Sequence, residues 1–204
     1  MSGPGPSTPI AGIILTGFMG AGKTTAGALL AERLRWRFVD SDGVVESRAG
    51  MSVAVIFARQ GEAAFRDLEA EAIRETAQTE QVVLALGGGA LERAQTRDFL
   101  AGLAAWRVVF LEAPLETLLS RCAGQEDGPV RPVLRDRERL AERWAARLPW
   151  YRQAHVTVAT EGRAPEAVVA GILDALGFAE ADGPAPRARG SQAASSRLRQ
   201  EKSA

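Results

Sequence analysis

Five short runs of β-branched and other apolar residues, separated by segments of helical periodicity, constrain the fold of this chain most. The runs are Ile10–Thr16, Arg37–Asp40, Gln81–Leu86, Arg107–Leu111 and His155–Val158. Several are apolar nearly throughout, as strands covered on both faces are, whereas a strand wetted on one face alternates. Helical patterns fill the gaps: Thr24–Arg35, a pair at Ser52–Gln60 and Glu62–Thr76, Thr96–Gly102, Pro114–Cys122, Arg135–Arg147 and Pro165–Leu176. Pro114 and Pro165 sit near helix starts, where a missing N–H does no harm. Alternation of this kind predicts right-handed crossovers and a three-layer α/β/α fold around a five-stranded parallel sheet. Ligands of such sheets bind beyond the carboxyl ends of the strands. The places to search are therefore just after Thr16, Asp40 and Leu86.

The length of 204 residues suits one domain, which buries about two thirds of its unfolded surface and needs no covalent staple. One Cys excludes an intramolecular disulfide framework, and one Cys with one His excludes the usual His/Cys metal cages. No run approaches the roughly 18 apolar residues of a membrane span, and Met1–Pro9 lacks a basic leader, so a cytoplasmic protein is expected. The net charge of zero sums unlike parts. Residues 183–204 carry five basic side chains against Glu201, leaving this tail at +4 and the rest at −4. Both 1–9 and 181–204 read as disordered flanks of a domain at 10–180, being rich in small and polar residues. Of 25 basic residues 23 are Arg; the two Lys are Lys23 and Lys202.

Lys23 belongs to Gly17–Thr24 (GFMGAGKT), which fits GxxxxGK(S/T) and lies between an apolar run and a helical pattern. The glycines let the backbone curl so that consecutive N–H groups, including those of Gly20, Ala21 and Gly22, face phosphate oxygens. The helix that follows adds its positive N-terminal end. Lys23 then reaches the β- and γ-phosphates and the Thr24 hydroxyl ligates Mg²⁺, with Thr25 beside it. The alternative is a glycine-rich turn without a ligand; the flanking strand and helix favour a nucleoside triphosphate.

Asp40-Ser41-Asp42 ends the second run. One carboxylate suits the Mg²⁺ shell through water, the other an acceptor hydroxyl whose proton it takes. An Asx turn with a helix cap is the plainer reading; strand-end placement beside a phosphate loop favours the chemical one. Arg66 and Glu69 lie three apart on one helical face, so Glu69 can hold Arg66 while its fork faces a substrate carboxylate; otherwise they form a surface ion pair. Gly87-Gly88-Gly89 after the third run implies a close backbone approach, or else a flexible turn. The polar stretch Ala123–Val130 reads as a mobile loop.

These segments together resemble the shikimate kinase family, within the P-loop group related to nucleoside monophosphate kinases. The matching segments are GFMGAGKTT (Gly17–Thr25), FVDSD (Phe38–Asp42), GEAAFRDLE (Gly61–Glu69), LGGGA (Leu86–Ala90), RPVL (Arg131–Leu134) and RLPWY (Arg147–Tyr151), in the family's order across about 11–177. The resemblance implies a P-loop kinase with a mobile lid at about 122–134, hinged near Gly124 and Gly128. It implies that ATP phosphorylates the 3-hydroxyl of shikimate with Mg²⁺ present; a monomer without nucleic-acid or membrane partners is expected. By the same resemblance Asp42 activates the 3-hydroxyl, Asp40 supports Mg²⁺ through water, and Arg66, Arg147 and Gly88, flanked by Gly87 and Gly89, bind shikimate. Arg131 closes over the phosphates, and Arg121 and Arg163 flank adenine. Two departures stand out: Trp150 where the family often has Leu, and a lid segment a few residues longer than is common. A related small-molecule kinase acting on gluconate is the nearest alternative. His155, Cys122 and the four Trp read as structural, and Arg135–Arg147 as a solvated helix face except for its last Arg.

Overall fold

A computed structural model describes residues 9–123 and 137–178. Its centre is a parallel five-stranded sheet in the order β2-β3-β1-β4-β5, with β1 at Gly12–Thr16, β2 at Arg37–Asp40, β3 at Val82–Ala85, β4 at Trp106–Glu112 and β5 at Val156–Ala159. All five expected strands form, within two residues of their expected ends. Burial follows position. Every residue of β1 and β3, in the middle, is buried, whereas the edge strands β2 and β5 are only partly so. Continuous apolar runs are what two-sided coverage demands. Register is direct: Gly12 pairs with both Val82 and Trp106, and Arg37 with Val82.

Seven α-helices complete the layers among the described residues: α1 at Lys23–Leu34, α2 at Ser41–Ala49, α3 at Val53–Thr76, α4 at Ala94–Ala101, α5 at Leu115–Ala123, α6 at Arg137–Tyr151 and α7 at Pro165–Ala175. The expected pair at 52–76 is one element broken at Gly61, whose φ of 82° is not helical. Pro165 opens α7 as expected. None of the described helices is long and apolar enough to cross a membrane.

Two elements depart from the sequence expectation. Ser41–Ala49 forms α2, N-capped by Asp40, whose side chain accepts from the Asp42 N–H; SDGVVESRA carries Gly43 and little periodic apolarity, so its helix is held by the cap and by packing on α3. Helix α6 continues past Arg147 through Pro149 to Tyr151, whose side chain is buried. Proline removes one helical hydrogen bond, which is tolerated here in the final turn.

The main core spans the sheet and its covering helices, and includes Ile13, Ile14, Leu15, Leu30, Leu84, Leu111 and Ile172. A second, smaller core joins α2 to α3 through Val45, Ile56, Phe65 and Ala72. That cluster fixes the α2–α3 unit over the carboxyl end of β2, where Asp40 and Asp42 emerge. The aromatics behave as packing groups: Trp36 meets Phe178 edge-on with centroids 5.9 Å apart, and Trp106 is buried. His155 is also structural, accepting from the Val108 N–H at 3.0 Å through Nδ1, and burial followed by the nearby Arg107 charge lowers its pKa.

Candidate active site

The carboxyl ends of β1, β2 and β3 open into one cleft of about 580 Å³. Its floor is the phosphate loop. Gly20 and Gly22 take φ of 76° and 89°, left-handed values that L side chains rarely adopt. A β-carbon on Gly20 would also stand 2.5 Å from the Leu118 carbonyl oxygen, so α5 packs directly on this backbone. Helix α1 begins at Lys23, with Gly22 as its left-handed cap. Lys23 Nζ folds back on the loop, donating to the Gly17 and Phe18 carbonyls at 2.8 and 3.0 Å. Gly20, Ala21, Gly22, Lys23, Thr24 and Thr25 all line the cleft, as expected of a phosphate cradle.

Thr24 and Asp40 meet at the cleft mouth, the Thr24 hydroxyl donating to Asp40 Oδ2 at 3.0 Å. Asp40 Oδ1 accepts from the Asp42 N–H at 3.1 Å, so the plainer helix-cap reading and the chemical one coexist in one residue. A hydroxyl and a carboxylate side by side are hard oxygen donors, which fit Mg²⁺ with most of its waters retained. Among the described residues no cluster of three or more His, Cys, Asp or Glu could hold a metal by itself.

Behind Asp42, Gly87 and Gly88, which line the cleft, lies a cluster of buried charge whose members Arg66, Glu69 and Arg147 are not part of that lining. Arg66 and Glu69 on α3 are not a surface pair: Arg66 is 9% exposed and Glu69 only 1%. Arg66 Nη1 donates to Glu69 Oε2 at 2.8 Å, and Nη2 to Glu62 Oε1 at 3.1 Å. Burial disfavours the charge on Arg66, yet the Glu69 carboxylate, with Glu92 and Glu62, outweighs it and raises the pKa above the usual value. The Glu69 carboxyl is pushed up to about 7, by burial above all; Arg66 opposes this rise, and the Asp42 and Glu92 charges add to it. Arg147 on α6, also buried, lies over the Phe18 ring of the phosphate loop, 5.6 Å from its centroid.

The triple glycine is the hub of these groups. A β-carbon on Gly87 would collide with Glu69 Oε1 and stand 2.6 Å from Asp42 Oδ1. On Gly89 it would collide with Arg66 Nη2 and come within 3.0 Å of Arg147 Nη2. Gly88 faces the phosphate loop at Met19, and its carbonyl accepts from the Tyr151 hydroxyl. Three side-chain-free positions therefore let two carboxylates, two guanidinium groups and the phosphate loop converge on one strand end. The plain-turn alternative does not account for this crowding.

Other expected residues fall into place unevenly. Arg121 lines the cleft and donates through Nη1 to Thr160 Oγ1 at 3.0 Å and through Nη2 to the Thr160 carbonyl at 2.6 Å. Arg163 also lines it, with its fork turned to the Ala159 and Ala167 carbonyls at 3.3 and 2.8 Å. Arg131, most of the expected lid with its expected hinges Gly124 and Gly128, and the basic tail lie outside the described residues.

Sequence reasoning missed three participants. Phe18 backs Arg147; Tyr151, four residues on from Arg147 along α6, holds the Gly88 carbonyl; Glu92, in the 3₁₀ turn Ala90–Glu92, pairs with Arg147 Nε at 2.7 Å. The spacing of Arg147 and Tyr151 on one helical face would have pointed to the second. Nothing local marks Glu92.

Comparison with known proteins identifies the family. The family model for shikimate kinase matches residues 19–177. A shikimate kinase of Symbiobacterium thermophilum is 45% identical over 168 residues, covering 80% of this chain and 95% of that protein. The solved shikimate kinase of Acinetobacter baumannii, in complex with shikimate, is 36% identical with a TM-score of 0.76, covering 83% of this chain and 94% of that one. A gluconokinase of Sinorhizobium meliloti shares the fold alone, at 19% identity and a TM-score of 0.57. The chain belongs to the shikimate kinase family and is an ATP-dependent phosphotransferase.

Proposed function

We propose that this protein transfers the γ-phosphoryl group of ATP to the 3-hydroxyl of shikimate, yielding shikimate 3-phosphate and ADP, as a Mg²⁺-dependent cytoplasmic monomer serving aromatic amino acid biosynthesis. The observation that carries the reading is the convergence of two buried arginines, from separate helices, on the triple glycine beside the phosphate loop. Planar guanidinium forks suit a single carboxylate bound from two sides, which the compact ammonium of Lys would not reproduce. Gluconate also carries a carboxylate, but the shared segments and the 36–45% identities are to shikimate kinases.

In this reading the loop N–H groups of Gly20–Thr25 and Lys23 hold the triphosphate and stabilise the charge that develops on transfer. Thr24 and Asp40 are the residues that would hold Mg²⁺, which when bound would supply neutralisation of phosphate charge. Arg66 and Arg147, with the backbone of Gly87, Gly88 and Gly89, fix the shikimate carboxylate. That anchorage directs the 3-hydroxyl to Asp42, which accepts its proton as the oxygen attacks phosphorus. Arg121 and Arg163 flank the adenine, and Arg131 closes over the phosphates. Phosphoryl transfer needs positioning and charge stabilisation more than covalent help.

Initial rates of ADP formation by the purified protein, with shikimate, gluconate and nucleoside monophosphates offered in turn, test the proposal. Shikimate should be turned over with kcat/KM at least about a hundredfold above the others, since buried polar groups left unpaired penalise the wrong acceptor. Preference for gluconate or a nucleoside monophosphate would overturn it.

A further inference from the structure

Arg66 and Arg147 sit on different helices, so something must set the distance between their forks. Arg66 is held from its own helix by Glu62 and Glu69. Arg147, by contrast, takes its carboxylate partner from elsewhere in the chain: Glu92, whose Oε1 accepts from Arg147 Nε at 2.7 Å while Oε2 lies 3.7 Å from Arg66 Nη2. One carboxylate thus spans both arginines. It comes from the short turn Ala90–Glu92, which follows the triple glycine and packs against both α3 and α6.

That turn is itself braced. Arg97 on α4 donates through Nη1 to the Leu91 and Glu92 carbonyls at 2.6 and 2.9 Å. Its guanidinium also lies over the Trp150 ring, 4.9 Å from the centroid, and Trp150 is on α6 three residues beyond Arg147. A cation over an indole face is attracted by the ring quadrupole, an interaction Leu cannot make. Glu92, Arg97 and Trp150 therefore form a strut from α4 to α6 that ends on the two arginines.

We propose that Glu92 is a positioning residue of the acceptor clamp: by tying Arg147 to Arg66 it sets the separation of the two forks and so the fit to one acceptor carboxylate. The inference rests on the acceptor reading above. Glu92 touches the arginines and needs no contact with the reacting atoms, so its removal acts first on acceptor binding. A hydrogen bond to a charged partner is of a size to shift binding about tenfold.

Steady-state kinetics of the folded variants, checked by thermal melting, with shikimate and ATP varied separately, provide the test. E92A should raise the shikimate KM about tenfold, leave the ATP KM unchanged and change kcat by less than about threefold. E92Q keeps an oxygen for Arg147 Nε and should recover most of the loss. W150L, which leaves every residue of the clamp in place, should raise the shikimate KM about twofold and gives a second reading if E92A does not fold. An unchanged or lowered shikimate KM in E92A, or equal rises for both substrates, would overturn the positioning role. Absence of shikimate turnover by the wild-type protein would instead remove the acceptor reading, and with it this inference.

Discussion

The phosphate loop and the buried charge cluster beside it, the nucleotide and acceptor ends of the proposed site, are made in opposite ways. The nucleotide end is nearly one contiguous stretch, Gly17–Thr25, whose working parts are backbone N–H groups, one Lys and one hydroxyl. The acceptor end is assembled from five separate places: Asp42 on α2, Arg66 and Glu69 on α3, the triple glycine after β3, Glu92 in the following turn, and Arg147 with Tyr151 on α6. The first binds phosphate through geometry that the local chain can form alone. The second buries opposite charges together, which is stable only because each has a partner in place. In the proposed reading a phosphate cradle can serve many kinases, and the buried cluster is what selects the acceptor.

If that division is right, damage should separate by end. The largest effect is expected at the junction. Asp42→Asn should lower kcat by at least about a hundredfold, since it removes the proton acceptor, while ATP affinity measured by calorimetry stays within about twofold. Loss of ATP binding in this variant would show that the ends are not independent.

The second effect is confined to the acceptor end and depends on pH. Glu69, with a pKa pushed up to about 7 from the usual 4.5, keeps a proton in the folded protein that the unfolded chain has already released. Between these two values the native state binds more protons, so stability falls as pH rises through the window. Urea unfolding of the wild-type protein should therefore show a loss on the order of 2–3 kcal/mol between pH 4.5 and 7.5. Glu69→Gln, neutral throughout, should lack this component of the slope. An identical pH profile in the variant would mean that Glu69 ionises normally.

Arg66→Lys should raise the shikimate KM about tenfold and leave the ATP KM unchanged, because a point charge replaces a fork that is shared with Glu69 and Glu62. An unaltered shikimate KM would sink the clamp. The smallest effect is expected from Tyr151→Phe. The Tyr151 hydroxyl, buried and raised to a pKa of about 12 chiefly by that burial, donates to the Gly88 carbonyl. Its loss should cost about 1 kcal/mol in chemical denaturation and raise the shikimate KM modestly. An ATP KM that moved more than the shikimate KM would assign Gly88 to the nucleotide end instead.

Much of this was legible beforehand, and unevenly so. The five strands could be read because central parallel strands must be apolar throughout, and Arg37–Asp40 matches residue for residue. The phosphate loop was legible because its function is local. Helix α2 was not: Asp40 caps it, yet its residues lack a clear apolar period, and its support comes from Val45 packing on α3. The burial of Arg66 and Glu69 was equally hidden, since an Arg and a Glu three apart look the same on a wet helix face and in a core.

By itself, the sequence determined the order of strands and helices, the phosphate loop with Lys23, the site of the triple glycine and the residue types available for an anionic acceptor. Those features depend on neighbours within about ten positions, where periodicity, backbone freedom and loop chemistry operate. Only the tertiary structure decided that Glu69 lies in the core with a raised pKa, that Tyr151 holds Gly88, and that Glu92 links arginines from two helices. Contacts such as Arg147 to Glu92, 55 residues apart, depend on how the layers pack and leave no local trace in the chain.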